Sequence, residues 1–309
     1  MTKTNRVLTG SLVGIASLIS GALYITNKNK SIQKREIKPF FTHKAPYVFS
    51  HRGGMQERPE STELAFDHSV AMGLTGFETD IRITKDEQVI VFHDATVDRT
   101  TNGSGAVSQH TLSELQQLDA GYRFTNINGR KPYQNHPQAK IMTMAALLQR
   151  YPDQLVNIDI KDHPNSYEGT IAAERLYKVI KENHAESRVL VTSFYKEQIE
   201  RFHTLDIQDE IAIGASQHEV TEGILKCYSG LGHLYQGLAD TFQMPTVHKG
   251  LVLTQRKLIS WLNQQNIAPG FYGVNNVDYI VDLANKGVHT LVTDRPTIGK
   301  QFLTFYQSN

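Results

Sequence analysis

"YVFSHRGGMQERPESTELAFDHSVAMGLTGFETDI", residues 47–81, reads as a strand, a helix and a second strand. "YVFS" (47–50) and "GFETDI" (76–81) are short runs with β-forming residues, and "TELAFDHSVAMG" (62–73) carries apolar residues at helical spacing up to a glycine stop. Two strands joined through a helix lie parallel, because a crossover of that length carries the chain back to its starting edge. The alternation then repeats. Strand-like runs stand at 89–93, 155–160, 188–194, 210–215, 268–274 and 289–294. Helical patterns fall between most of them, among them "TIAAERLYKVIKEN", "KEQIERF", "RKLISWLNQQN" and "VDYIVDLANKG". Eight strands alternating with helices predict an α/β fold, a (β/α)8 TIM barrel, with a doubly wound open sheet as the alternative.

Two departures from even spacing matter. The second and third runs are separated only by "RITKDEQ", too short for a helical crossover, while some sixty residues separate the third from the fourth. The long connection is expected to sit over one end of the barrel. "TLSE" (111–114) within it reads as a capping box.

The 309 residues hold 32 basic and 31 acidic side chains, 13 histidines and a single cysteine, Cys227. One cysteine excludes an intrachain disulfide and a cysteine-rich zinc site. The neutral balance gives no basic stripe for nucleic acid, and no protein partner is implied. The N-terminus differs from the rest. Residues 7–25, "VLTGSLVGIASLISGALYI", are uncharged, and 19 residues of helix span about 28 Å, enough for a bilayer core. Residues 1–27 are therefore expected to be a membrane anchor, with a cleaved signal peptide as the alternative. Residues 28–44 read as a polar tether, 45–300 as the catalytic barrel and 301–309 as a tail. Lys3 and Arg6 ahead of the apolar run favour export and an extracellular catalytic domain, whereas Lys28, Lys30, Lys34, Arg35 and Lys38 behind it favour the cytoplasmic side.

The strand ends carry the chemistry. His51 and Arg52 follow the first run, Glu78 and Asp80 lie two apart on the second, His93 and Asp94 end the third, and Asp159 and Lys161 lie two apart on the fourth. A spacing of two on a strand puts both members of a pair on one face. Each piece alone has an ordinary structural reading, such as a salt bridge at the barrel mouth or a charged strand end. Their conjunction at successive strand ends points to catalysis. Glu78, Asp80 and Asp159 cannot all ionise side by side without a cation, and oxygen-only donors suit calcium or magnesium rather than zinc. Carboxylates, cations and two histidines together match phosphoryl transfer.

"HRGG…PEST…FETDIRITKDEQVIVFHDATVDRTTNGSGAVSQHTLSELQQLDAG", continuing through "NIDIK", "VTSF", "GVNN" and "VTDRP", resembles the glycerophosphodiester phosphodiesterase family over roughly residues 46–300. The resemblance implies a TIM barrel that uses a divalent cation to hydrolyse glycerophosphodiesters to glycerol 3-phosphate and an alcohol. It implies His51 and His93 as the acid/base pair, Arg52 and Lys161 at the phosphate, and Glu78, Asp80 and Asp159 as metal ligands. It also implies that the long connection is an inserted subdomain, about 103–140. Gly53 and Gly54 are expected to let backbone and cations approach the phosphate. Some positions depart from the family pattern. Asp159 replaces a glutamate, Tyr272 stands for a tryptophan that packs on the glycerol, "IMTMAAL" loses an acid, and Ser61 replaces an asparagine while remaining able to cap the next helix. A lysophospholipase D-type activity on membrane lipids and a non-catalytic phosphoglycerol-binding barrel are the competing readings.

Overall fold

A computed structural model describes residues 34–307, so the expected anchor at 7–25 lies outside the described residues. Among the described residues, no helix is long and apolar enough to cross a membrane.

The strands, in chain order, are β1 (Tyr47–His51), β2 (Gly76–Ile83), β3 (Val89–Val91), β4 (Leu155–Ile160), β5 (Val189–Thr192), β6 (Ala212–Ile213), β7 (Thr241–Pro245), β8 (Val247–His248), β9 (Leu251–Val252), β10 (Ala268–Tyr272) and β11 (Thr290–Thr293). Eight of them form one parallel path, β6-β5-β4-β2-β1-β11-β10-β7. A parallel bridge between Gly214 and Thr241 joins its two ends into a barrel. Helices lie between the strands, several capped at their N-termini by hydroxyl or amide side chains: Thr62, Thr143, Ser166, Ser216 and Asn276.

The barrel closes with eight strands, though not the eight expected. β3 is no barrel stave. It pairs antiparallel with β2 through Ile81–Val91 and Ile83–Val89, because the short connection between them permits only a hairpin. Its place is taken by β7, "TFQMP", whose glutamine and proline interrupt the apolar run a buried parallel strand usually shows. Two helices also escaped the periodicity, Gln217–Ser229 and Pro296–Gln307. The second takes in residues 301–307, so the expected tail is mostly helix.

The two faces of the strands have different tasks. Phe77, Ile81, Val156, Ile158 and Ile160 point outward into the helices and form part of the largest apolar cluster. Tyr47, Phe49, Leu155, Leu190, Ala212 and Val292 fill the barrel interior together with Phe40. Phe40 comes from the segment read as a polar tether, and that reading is corrected for residues 34–44. A short 3-10 turn, Pro39–Phe41, puts the buried Phe40 ring edge-on to Tyr47 and Phe49, at centroid distances of 6.3 and 6.1 Å. Arg35 pairs with Asp240 at 3.2 Å, and its amide donates to the Gln265 carbonyl. The chain thus enters across the N-terminal ends of the strands and closes the bottom of the barrel. At the other end, the connection after β3 builds a small cluster of its own from Phe92, Val97, Val107, Leu115 and Ile141. Its helix, Leu112–Gln117, carries the capping box between Thr111 and Glu114.

Candidate active site

The C-terminal ends of β1, β2 and β4 lie side by side, with His51 in register with Glu78 and Asp80 with Asp159. Alternation along β2 sends Phe77 and Ile81 outward and Glu78 and Asp80 inward. His51, Arg52, Glu78, His93, Asp159, Lys161 and Tyr272 all line one cavity of about 550 Å³, and Asp80 lies buried beneath it. The structure therefore brings together all eight side chains singled out in the sequence.

Each is held by named partners. His51 Nδ1 lies 2.5 Å from Asp294 Oδ1, and its Nε2 lies 3.7 Å from Glu78. Asp294 is itself fixed by Asn275 Nδ2, which donates at 2.7 Å, and by Gln56 Nε2 at 3.1 Å. His93 Nδ1 lies 2.6 Å from Asp94, which also accepts from Arg99. Arg99 reaches on to Glu60, and Glu60 accepts from Arg52 at 2.9 Å. Arg82 donates to the backbone carbonyls of His93 and Lys161, at 3.0 and 2.8 Å, and pairs with Asp162, so the hairpin and the end of β4 keep one spacing.

Packing imposes its own requirement on the two glycines. Gly54 has φ 104°, its amide donates to the His51 carbonyl, and a Cβ on it would lie 2.3 Å from Pro296. A Cβ on Gly53, at φ 80°, would lie 2.8 Å from Ala65. The turn is a packing feature at the barrel rim that aims Arg52 inward. Ser61 does not cap the following helix either. It sits at φ 58° with its hydroxyl buried and unpaired, and Thr62 is the cap. An asparagine would tolerate that left-handed backbone more easily than serine does.

Electrostatics separate these groups. Burial, reinforced by the Asp80 charge, pushes the Glu78 carboxyl up to about 7. Burial also raises Asp159, whereas for Asp80 the charges of Lys161 and Arg52 outweigh burial and lower it. Burial lowers His93 despite the Asp80 charge. For His51 burial works in the same direction, but the Glu78 charge and the Asp294 hydrogen bond overcome it and raise the imidazole. Burial opposes ionisation of Asp94, yet its Arg99 and His93 partners hold it down to about 2.

Lys161 Nζ lies 2.6 Å from Asp159 and 3.1 Å from Asp80, occupying the space between them. Among the described residues, no three His, Cys, Asp or Glu side chains are gathered as a ready-made ligand set. Nevertheless Glu78 Oε2, both Asp80 oxygens and Asp159 Oδ1 are buried without a hydrogen-bond donor, the Arg52 and Lys161 contacts to Asp80 being ion pairs only. The Glu78 and Asp159 oxygens at the cavity, with the Asp80 pair beneath them, are the donor chemistry of an oxygen-seeking divalent cation, once Lys161 yields its place between Asp80 and Asp159.

The glycerophosphoryl diester phosphodiesterase family model matches residues 51–298. The chain belongs to that family. It is accordingly a phosphoric diester hydrolase. A glycerophosphodiester phosphodiesterase of Bacillus altitudinis is 30% identical over 256 residues, covering 81% of this chain and 94% of that enzyme. One from Caldanaerobacter subterraneus is 41% identical over 149 residues, which is 48% of this chain and 57% of the relative. Among solved structures, a glycerophosphoryl diester phosphodiesterase domain from Mycobacterium tuberculosis superposes with a TM-score of 0.71 at 19% identity, over 84% of this chain and all of that domain. A phosphodiesterase from Oleispira antarctica, solved with the product sn-glycerol-3-phosphate, gives 0.64 at 20% identity, over 85% of this chain and 97% of that one.

The residues that support the site are less conspicuous in the sequence. Glu60, Arg99 and Asn275 lie inside the motifs that carried the resemblance, "PEST", "VDRTT" and "GVNN", but nothing in their spacing shows that they brace Arg52, Asp94 and Asp294. Gln243, whose side chain accepts from Asn157 inside the barrel at 2.7 Å, lies on the strand that periodicity missed.

Proposed function

We propose that the protein hydrolyses glycerophosphodiesters to glycerol 3-phosphate and an alcohol, with His51 and His93 as acid and base. The observation that carries this reading is the convergence of both imidazoles, each oriented through Nδ1 by a carboxylate, on a cavity that also presents Arg52 and Lys161. A phosphodiester resists hydrolysis because its anionic oxygens repel a nucleophile and its alkoxide leaves poorly. Arg52 and Lys161 offset the first obstacle by drawing the phosphate oxygens into a positive environment. The imidazoles meet the second. One donates its proton to the departing alcohol oxygen, and the other takes a proton from the attacking hydroxyl. Tyr272, at the rim of the same cavity, packs on the glycerol. Glu78, Asp80 and Asp159 would hold a divalent cation, calcium first and magnesium as the alternative. When bound it supplies additional stabilisation of the charge that develops on the phosphate. We propose further that residues 7–25 anchor the protein in a membrane with the barrel exported.

The test is hydrolysis of glycerophosphocholine by the wild type and by His51→Ala and His93→Ala, with and without chelator. Each substitution should lower kcat by about 10²-fold or more. A nitrophenyl diester, whose leaving group departs without a proton, should rescue only one of the two variants and so identify the acid. Chelator should abolish wild-type activity, and added calcium or magnesium should restore it. Near-normal kcat in both variants would sink the acid/base roles, and full activity in excess chelator would sink the cation.

A further inference from the structure

The two imidazoles are oriented by different means. Asp294, which faces His51, is held by the neutral amides of Asn275 and Gln56. Asp94, which faces His93, is held by a cation from the connection after β3. That cation, Arg99, lies in a turn closed by Thr101, whose amide and hydroxyl both donate to the Val97 carbonyl, at 3.1 and 2.8 Å. Val97 and Thr101 are fully buried, so the turn is fixed although the Arg99 side chain itself is 46% exposed.

The Arg99 guanidinium spans two carboxylates. Nε and Nη2 donate to Asp94 at 2.5 and 3.1 Å, and Nη1 and Nη2 donate to Glu60 at 2.8 and 2.7 Å. A guanidinium can form such a two-sided fork and an ammonium cannot. Asp94 Oδ1, one of the oxygens so held, is the atom that faces His93 Nδ1. Glu60 Oε1 also accepts from Arg52. One side chain thus joins the carboxylate that orients an imidazole to the carboxylate that steadies the phosphate-binding arginine.

Glu60 raises a difficulty that Arg99 answers. Arg52 has to keep positive charge for the phosphate, yet it already pairs with the buried Asp80, Nε to Oδ2 at 3.1 Å. A second carboxylate resting on Arg52 alone would cancel much of what is left. With Arg99 on both of its oxygens, Glu60 orients Arg52 without neutralising it. Arg52 needs that support. Its backbone stands at φ 50°, a region that residues with a Cβ hold only where the surroundings over-determine it.

We propose that Arg99 is a positioning residue of the phosphodiesterase site, setting His93 through Asp94 and preserving the phosphate affinity of Arg52 through Glu60. The inference rests on the reading of His93 as acid or base and of Arg52 as phosphate ligand. It gives the connection after β3 a part in the reaction, because the site is incomplete until that connection has folded and delivered Arg99.

Full-length Arg99→Ala is compared with the wild type in three measurements. These are kcat on glycerophosphocholine, the Kd for sn-glycerol 3-phosphate by calorimetry in calcium-containing buffer, and the urea midpoint. The midpoint should barely move, because the position is half exposed. kcat should fall about 10- to 100-fold, the scale for removing a group that orients a functional side chain. The Kd should rise about fivefold as Glu60 settles on Arg52. Adding Glu60→Gln removes that stranded carboxylate, so the Kd should return to within about twofold of the wild type while kcat stays low. Guanidinium ion should restore part of the kcat of Arg99→Ala, and Arg99→Lys should not restore it, since an ammonium cannot make two bonds to each carboxylate. Unchanged kcat and Kd in Arg99→Ala overturn the proposal. So do losses that follow a lowered urea midpoint and respond neither to Glu60→Gln nor to guanidinium, which would make Arg99 a fold-stabilising ion pair only. A wild type that hydrolyses no diester overturns the acid/base reading instead, and the Kd measurements then still decide whether Arg99 acts on Arg52 through Glu60.

Discussion

His51 and His93 share a design, an imidazole whose Nδ1 faces a carboxylate and whose other nitrogen is left for the cavity. The carboxylate fixes the tautomer and the ring orientation, so it acts through the histidine. Asp294 is held by two further donors, Asn275 and Gln56, and has little freedom to adapt. Asp294→Asn should therefore lower kcat on glycerophosphocholine by about 10²-fold with little change in KM. Its urea unfolding midpoint should stay near that of the wild type, because an amide preserves the shape. An unaltered kcat would show that His51 needs no orienting partner. A histidine at the opposite end of the barrel bears on stability. His289 is mostly buried, 4.4 Å from the Tyr47 ring, and burial pushes its imidazole down to about 4. In the unfolded chain it takes up a proton near 6.5. Between those values the unfolded state binds more protons than the folded one. The contribution is thus fully present above about pH 6.5 and is lost as the pH falls toward 4. Over the whole window the loss amounts to roughly 3 kcal/mol at most. His289→Gln should lose less stability than the wild type between pH 7 and 4.5 in urea titrations. Parallel losses in both proteins would remove His289 from the account.

At the scale of elements, the part of the chain before β1 has the most to show. Residues 34–44 are rich in basic side chains, and the buried Phe40, with the Arg35–Asp240 and Lys38–Asp209 ion pairs, decides their placement. Phe40 fills the bottom of the barrel, so a chain starting at residue 45 would open a cavity beneath Tyr47 and Phe49. Phe40→Ala should destabilise by about 3–5 kcal/mol, the usual scale for a buried phenylalanine, read as a lower urea midpoint at unchanged slope. A loss under 1 kcal/mol would mean that the barrel floor collapses to fill the space. Legibility in the sequence follows the same logic. "NIDIK" and "FETDI" announced their strands and their site residues together, because alternation sorts carboxylates from aliphatics on a half-polar strand. "VIVFH" was equally clear as a strand, but its pairing direction depended on the seven-residue connection before it. "TFQMP" and the half-exposed helix Gln217–Ser229 were hidden because neither presents a clean apolar period. Phe40 was hidden because burial of one side chain leaves no period at all. Seven of the eight candidate site residues were legible for a different reason, while Tyr272 came only from the family resemblance. Charged groups at successive strand ends are conspicuous wherever the strand ends themselves can be read.

The whole molecule is polarised along the barrel axis. The candidate acid/base and phosphate-binding residues line a cavity at the C-terminal ends of the strands. Arg35, Lys38 and Phe40 lie across the N-terminal ends, touching Asp240, Asp209 and the ring of Tyr47. The described chain therefore begins, at Lys34 and Arg35, at the end farthest from the mouth. Among the described residues, those nearest the anchor lie at the end of the barrel opposite the cavity, which gives the anchoring proposal a clear consequence. Full-length protein should fractionate with membranes and resist extraction by high salt. Protease added to intact, wall-stripped cells should cut between residues 26 and 33 and release a soluble barrel that retains Phe40. Its kcat/KM on glycerophosphocholine should match that of the anchored form within about twofold, because the cut lies at the end opposite the cavity. Release of inactive protein would mean that the mouth needs the membrane. Complete protection from the protease would place the barrel on the cytoplasmic side, where the positive charges at Lys28, Lys30 and Lys34 would hold it.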